Sequence, residues 1–180
     1  MVLGRYTLEK YTFDALTEDY FISQGYIIEA VRGVRADVVA YHPESKELAI
    51  IEVKSPNEVH GQTGWNTKHN LHHMGREDIL DLIEASEEYR LNPGVMKLYA
   101  YTLSSQLYTY YKEATHARIR KVMKKHSCPK INVVPYLSVP RQYGAILKGV
   151  LRVFKDHGLI RRSPLNRAGV LVIARIGYSS

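Results

Sequence analysis

The sequence of 180 residues contains a single cysteine, Cys128, and a single tryptophan. One cysteine cannot build a disulfide framework, a multi-cysteine zinc finger or an iron–sulfur site, so a reducing compartment is expected. The chain also lacks an uninterrupted apolar run of about 18 residues, and its first residues carry charges where a signal peptide would be apolar. We therefore expect a cytoplasmic protein with one main core and no membrane partner.

Acidic residues are scarce in the second part of the chain. Residues 112–180 hold 15 Lys and Arg but 2 acidic residues, a net charge of +13, whereas residues 1–111 hold 10 basic and 16 acidic residues, a net charge of −6. A basic segment favours a polyanionic partner, most often nucleic acid, because neutralising phosphates releases condensed counterions. The alternative is a solvated basic face that keeps the protein soluble.

The apolar spacing predicts a mixed α/β fold with a central mixed sheet flanked by helices. The predicted helices span 6–24, 76–90, 106–126 and 141–157. The predicted strands span 26–30, 37–41, 47–54, 95–103 and 131–139, the last one interrupted by Pro135, and a terminal hairpin pairs 159–162 with 169–176. The segment 55–73 is rich in Gly, Asn and Pro and is predicted to be a long loop.

Three charged residues interrupt the apolar strands of the first predicted hairpin, namely Asp37, Glu52 and Lys54. A turn centred between Glu44 and Ser45 pairs residues whose numbers sum to 89, and this register sets Asp37 opposite Glu52. Because strand side chains alternate with period two, Lys54 projects from the same face as Glu52. The pattern predicts two carboxylates and an ammonium at one edge of the sheet. The alternative is a salt-bridged hairpin end with a structural role.

Two neighbouring carboxylates raise each other's pKa unless a cation lies between them. Oxygen ligands of this kind suit Mg²⁺, for which Mn²⁺ is expected to substitute. Such an ion polarises a phosphoryl oxygen and activates water, and an adjacent ammonium positions that water or stabilises the developing negative charge. The hairpin therefore indicates phosphodiester hydrolysis. This activity explains both parts of the chain, since the acidic part would bind the metal ion and the basic part would bind the nucleic acid.

The order of Asp37, a hairpin and the Glu52-x-Lys54 pair resembles the PD-(D/E)xK nuclease superfamily, with Ala36 where that family has proline. The surrounding sequence is similar to archaeal Holliday-junction resolvases and archaeal viral nucleases. The resemblance implies a restriction-endonuclease-like αβββαβ core over residues 1–139. Residues 140–180 would form a basic extension, a helix and a hairpin packed on that core, whose end superficially resembles a winged helix.

The resemblance also implies roles for individual residues. Asp37 and Glu52 would be metal ligands, and Lys54 would be the catalytic lysine. Such enzymes often add an acidic residue from the first helix. The candidates here are Glu9, Asp14 and Glu18, of which we select Glu18.

Other candidates lie outside the hairpin. Gln62 follows Lys54 in the polar loop, where it could orient the water or touch DNA. The four histidines of residues 60–73 match no standard zinc spacing. Phosphate contacts are expected from the basic side chains of the helix 106–126 and of the C-terminal extension. These side chains are Arg118, Lys121, Lys124, Lys125, Arg161 and Arg162.

The sequence thus predicts a Mg²⁺-dependent DNA endonuclease that acts on duplex or branched DNA, in the manner of a junction resolvase. Symmetric cleavage of two strands requires two active sites, so a homodimer is expected. Two alternatives stay open. One is a DNA-binding protein with a nuclease-like core that is not catalytic, and the other is an exonuclease.

Overall fold

Three helices and six strands make up the part of the chain that the structure, a computed structural model, describes. That part comprises residues 5–31, 34, 36–54, 116–161 and 164–176, with the backbone alone for residues 5–9. The helices are α1 (Arg5–Ser23), α2 (Ala117–Lys125) and α3 (Gly144–Asp156). The strands are β1 (Ile27–Ile28), β2 (Val38–His42), β3 (Glu47–Val53), β4 (Val133–Pro140), β5 (Leu165–Ala168) and β6 (Leu171–Arg175).

The six strands form one mixed sheet in the order β1-β2-β3-β4-β6-β5. The central pair, β3 and β4, is parallel, and every other neighbouring pair is antiparallel. One face of the sheet packs against α1 through Phe21, and the opposite face packs against α2 and α3. Because both faces are covered, the central strands are mostly apolar, and charged residues of β3 lie near its two ends, Glu47 and Glu52. The predicted α/β class, with a central mixed sheet flanked by helices, is confirmed.

The first helix ends where the sequence predicted, at Gly25. This glycine has a φ of +90°, which L side chains rarely adopt. Its N–H donates to the Ile22 carbonyl, and the Tyr26 N–H donates to the Phe21 carbonyl. This pair of bonds is a Schellman cap, and it turns the chain from α1 into β1.

The β2–β3 hairpin has the predicted register. Val38 pairs with Ile51 and His42 pairs with Glu47, so the turn is centred between Glu44 and Ser45. The confirmed register fixes which residues face each other at the open end of the hairpin.

The C-terminal hairpin differs from the prediction. The strand expected over 159–162 is wrong, and the partner of β6 is β5, with Leu165 opposite Ala174. The two strands are joined by a turn at Gly169, whose φ of +56° places it in the left-handed region, so this glycine belongs to the turn and does not begin a strand. Contrary to the expected interruption, β4 runs through Pro135, which pairs with Ile50.

Two helical predictions are also corrected in part. In the span 106–126, predicted as one helix, the described helix begins at Ala117, because His116 has an extended backbone and caps it by accepting the Arg118 N–H at its Nδ1. Residues 106–115 lie outside the described residues. The helix expected over 141–157 begins as a 3₁₀ turn over Arg141–Tyr143. The predicted helix 76–90 and strand 95–103 lie outside the described residues.

The sheet continues across the predicted boundary between residues 139 and 140. β4 crosses that boundary by one residue, Pro140, and pairs with β6, which lies beyond it. The core of α3 includes Leu147 and Phe154, both fully buried, and it packs on β4 and β6. In this arrangement the hairpin β5–β6 forms the edge of the central sheet.

Candidate functional site

The candidate site lies where the β2–β3 hairpin opens. Asp37 immediately precedes β2, and its N–H donates to the Ile51 carbonyl at 3.0 Å. Its Oδ2 accepts the Val53 N–H at 2.8 Å. Because both the backbone and the carboxylate of Asp37 are bonded to β3, the carboxylate has a fixed position at this end of the sheet.

Glu52 and Lys54 occupy the end of β3 at the same opening. The Lys54 Nζ donates to Glu52 Oε1 at 3.1 Å, and the two side chains are 17% and 22% exposed, respectively. The Lys54 N–H donates to the Ser138 carbonyl of β4 at 2.9 Å. The parallel neighbour β4 therefore holds the backbone that carries the lysine.

A fourth charged residue, Lys10 of α1, lies in the site, although it was not among the residues predicted from the sequence. Its Nζ lies 3.0 Å from Asp37 Oδ1 and 3.2 Å from Asp14 Oδ1, and it donates to the Val53 carbonyl at 2.9 Å. The spacing of Lys10 and Asp14 is the ordinary one for a helix-surface ion pair, so the contact of Lys10 with the hairpin was not predictable from the pattern.

The electrostatics of the site centre on Glu52. The pKa of Glu52 is raised to about 7, mainly by burial and in part by the negative charge of Asp37, whereas the charges of Lys54 and Lys10 oppose the rise. Two carboxylates and two ammonium groups thus influence one another at the open end of the hairpin. An uncompensated carboxylate in this position is costly, so the arrangement favours the presence of cations.

The candidates from the first helix are placed differently. Asp14 reaches the hairpin through Lys10. Glu18 is half-buried, and within the described part of the chain it makes no hydrogen bond or ion pair. Among the residues described, no three His, Cys, Asp or Glu side chains form a group that could by itself hold a metal ion. Gln62 lies outside the described residues.

The short helix α2 carries five basic residues among its nine and has no acidic one. Arg118, Lys121 and Lys124 are exposed, as is Arg161 beyond α3, whereas Arg162 lies outside the described residues. Ile119 and Val122 are buried against β2 and β3 on the face that also bears Glu52. The apolar face of α2 therefore covers the hairpin on the Glu52 side of the sheet, and its basic side chains are exposed to solvent.

The end of α2 is held by an acidic residue that follows β1. Glu29 accepts from Lys125 and forms a close ion pair with His126, and the imidazole of His126 stacks on Tyr41. Burial would raise the pKa of Glu29, but the hydrogen bonds and charges of His126 and Lys125 hold it below its ordinary value. Lys125, which was predicted to contact DNA, thus forms an ion pair with Glu29.

A cavity of about 480 Å³ lies at the other end of β3, roughly 17 Å from Glu52 along the strand. Its wall includes Glu47, which accepts hydrogen bonds from the hydroxyls of Tyr26 and Tyr136 and pairs with Arg175 at 3.0 Å. Burial, together with the adjacent carboxylate, raises the pKa of both tyrosines far above the ordinary range. This network satisfies the partly buried carboxylate of Glu47, which gives these residues a structural role, and the candidate site remains the charged cluster at the hairpin opening.

Comparison with known proteins gave no match. No protein-family model, no curated protein and no solved structure matches the chain. Within the part of the chain that the structure describes, no helix has both the length and the apolar character needed to cross a membrane.

Proposed function

We propose that this protein is a metal-dependent endonuclease that hydrolyses phosphodiester bonds of duplex or branched DNA. One observation carries the proposal, namely the fixed placement of Asp37, Glu52 and Lys54 at the open end of one buried hairpin. Buried charges are costly unless they are paired or bind a metal ion, and titratable groups with a shifted pKa, such as Glu52, cluster at functional sites. The family resemblance of the Asp37, Glu52-x-Lys54 pattern supports the same activity.

The donor atoms at the hairpin opening fit a divalent ion with a preference for oxygen. Asp37 and Glu52 would hold it, with Mg²⁺ as the expected ion and Mn²⁺ as its substitute. Positive charge is favoured here, as shown by the Lys10 ammonium, which lies against oxygens of Asp14, Asp37 and Val53. When bound, such an ion supplies positive charge for a phosphoryl oxygen and lowers the pKa of its water. Glu18 is retained as a proposed additional ligand from α1.

Lys54 stabilises the negative charge that develops on the phosphate. Its ammonium is held next to Glu52, and its backbone is tied to β4, so little reorganisation is needed. Groups arranged in advance in a partly buried site are more effective than the same groups in water. Removing a single stabilising group of this kind costs about 100-fold to 1,000-fold in rate.

The exposed basic residues of α2 would contact the DNA backbone. Arg118, Lys121 and Lys124 lie on the helix that covers the Glu52 side of the hairpin. Contacts with phosphates provide affinity and orient the protein on DNA, but they do not depend on the base sequence. Such contacts suit an enzyme that recognises the structure of the DNA, such as a branch point. Symmetric cleavage of two strands would require a homodimer.

Cleavage of closed circular plasmid tests the proposal. We expect Mg²⁺-dependent nicking by the wild type, and loss of nicking with retained DNA binding in Glu52→Ala and Lys54→Ala. Parallel reactions with a four-way junction, linear duplex and single strand would define the substrate. Cleavage of linear DNA without cutting of closed circles would identify an exonuclease. Unchanged nicking in both variants would disprove the assignment.

A second candidate function is DNA binding without catalysis. The observation that favours it is the exposure of three basic side chains on α2, since they can bind phosphate whatever the hairpin does. In that case the hairpin charges have a structural role. Salt-dependent DNA binding by the wild type, with no cleavage at any concentration of Mg²⁺ or Mn²⁺, would favour this function.

A further inference from the structure

The ammonium of Lys10 occupies an oxygen-lined position between α1 and the hairpin. Within the described part of the chain, oxygens from three places lie next to it: Asp14 of α1, Asp37 before β2 and the backbone of Val53 in β3. All three distances lie between 2.9 and 3.2 Å. The lysine side chain is 21% exposed, so its charge is partly shielded from water.

The helix that carries Lys10 is anchored close by. Thr17 Oγ1 and Ser138 Oγ are 2.9 Å apart, and both residues are fully buried between α1 and β4. Thr17 lies two helical turns from Lys10 on the same side of α1. The packing of α1 on β4 therefore determines where Lys10 reaches the hairpin.

Lys10 and a divalent ion require the same carboxylate. The ammonium is paired with Oδ1 of Asp37, while Oδ2 already accepts the Val53 N–H. An ion that binds Asp37 must share or displace the lysine, and two positive centres at this separation repel each other in a partly buried site. Without the ion, the same ammonium offsets the repulsion between Asp37 and Glu52.

We propose that Lys10 is an internal counter-ion for Asp37 that competes with the divalent ion and so sets the ion affinity of the site. This inference rests on the proposed function, because it assumes that Asp37 and Glu52 hold the ion. Lys10 acts through Asp37 and is a positioning residue. The Lys10 ammonium then stabilises the folded protein in the absence of metal. The ion binds when its concentration is high enough to compete with this ammonium for Asp37.

Removing the charge of Lys10 should have two opposite effects. Lys10→Met should lower the melting temperature in EDTA, because Asp37 then loses the ammonium that offsets its repulsion with Glu52. The same variant should bind Mn²⁺ at least about tenfold more tightly than the wild type, because a competing charge is absent. Saturating Mn²⁺ should therefore raise its melting temperature more than that of the wild type. A lysine with a purely structural role would not produce this combination.

The test is calorimetric titration of Mn²⁺ into full-length protein without DNA, with thermal melts on the same samples. Lys10→Arg retains the charge and should keep an affinity close to that of the wild type. Lys10→Gln removes the charge but can still donate to the Val53 carbonyl, so it reports the same effect if the methionine variant folds poorly. Lys148→Met, at an exposed position of α3, is the matched control.

The outcomes separate this inference from the proposed function. If the wild type binds Mn²⁺ in a manner that requires Glu52, but Lys10→Met and Lys10→Gln bind it equally or more weakly, the role of Lys10 is overturned and the nuclease proposal stands. If neither the wild type nor the Lys10 variants bind Mn²⁺, both proposals fail. Tighter binding by the two uncharged variants, with the arginine variant unchanged, supports the inference.

Discussion

Replacing Glu52 with glutamine should make the stability of the protein less dependent on pH. Burial raises the pKa of this carboxyl from 4.5 to about 7. The folded state therefore binds a proton more tightly than the unfolded state does, and the free energy of unfolding falls as pH rises from about 4.5 to about 7. The interval between the two pKa values corresponds to about 3 kcal/mol of unfolding free energy.

The measurement is urea unfolding of the wild type and Glu52→Gln in EDTA, from about pH 4.5 to about pH 8. Any fixed cost of the substitution, such as the altered contact with Lys54, adds the same offset at each pH. The stability of Glu52→Gln relative to the wild type should therefore rise by about 2–3 kcal/mol across this range. Glu44→Gln, at an exposed position in the turn, is the control and should show no such rise. Parallel curves for the wild type and Glu52→Gln would refute the reasoning about the buried carboxylate.

Three further predictions concern the rest of the molecule. Tyr136→Phe removes a hydrogen bond to the buried carboxylate of Glu47 and should lower the free energy of unfolding by about 1–2 kcal/mol in urea titrations. Lys121→Ala removes one exposed charge of α2 and should reduce the slope of log affinity for duplex DNA against log salt concentration by about 1, without changing stability. Glu29→Gln should destabilise the protein by about 1–2 kcal/mol at neutral pH, because it loses the ion pair with His126. That loss should shrink as pH falls through the lowered pKa of Glu29, and an unchanged difference at acid pH would contradict it.

The local features of the fold were predictable from the sequence. The register of the β2–β3 hairpin follows from its short polar turn and from apolar residues on both strands, which leave few alternative pairings. The end of α1 follows from Gly25, whose positive φ suits a helix cap. Asp37 could be placed opposite Glu52 for the same reason, since alternation along two strands and a turn determine which residues meet.

Features that depend on tertiary packing were not predictable. Lys10 looks like an ordinary helix-surface residue, and its contact with Val53 spans 43 positions of the chain. The apolar run after Gly169 predicts a strand that begins at this glycine, but the left-handed backbone of Gly169 makes it part of a turn. β4 tolerates Pro135 although proline cannot donate a backbone hydrogen bond, and the Pro135 carbonyl still accepts the Ile176 N–H at 3.0 Å.

The most direct test of the central claim is the rate of DNA cleavage by Lys54→Ala, measured in Mg²⁺ with protein in excess over DNA. Lys148→Ala serves as the control, and the affinity of each variant is measured on the same DNA. The account predicts a rate at least about 100-fold below that of the wild type for Lys54→Ala, with little change in affinity, and a normal rate for Lys148→Ala. Equal rates for the wild type and Lys54→Ala would contradict the account.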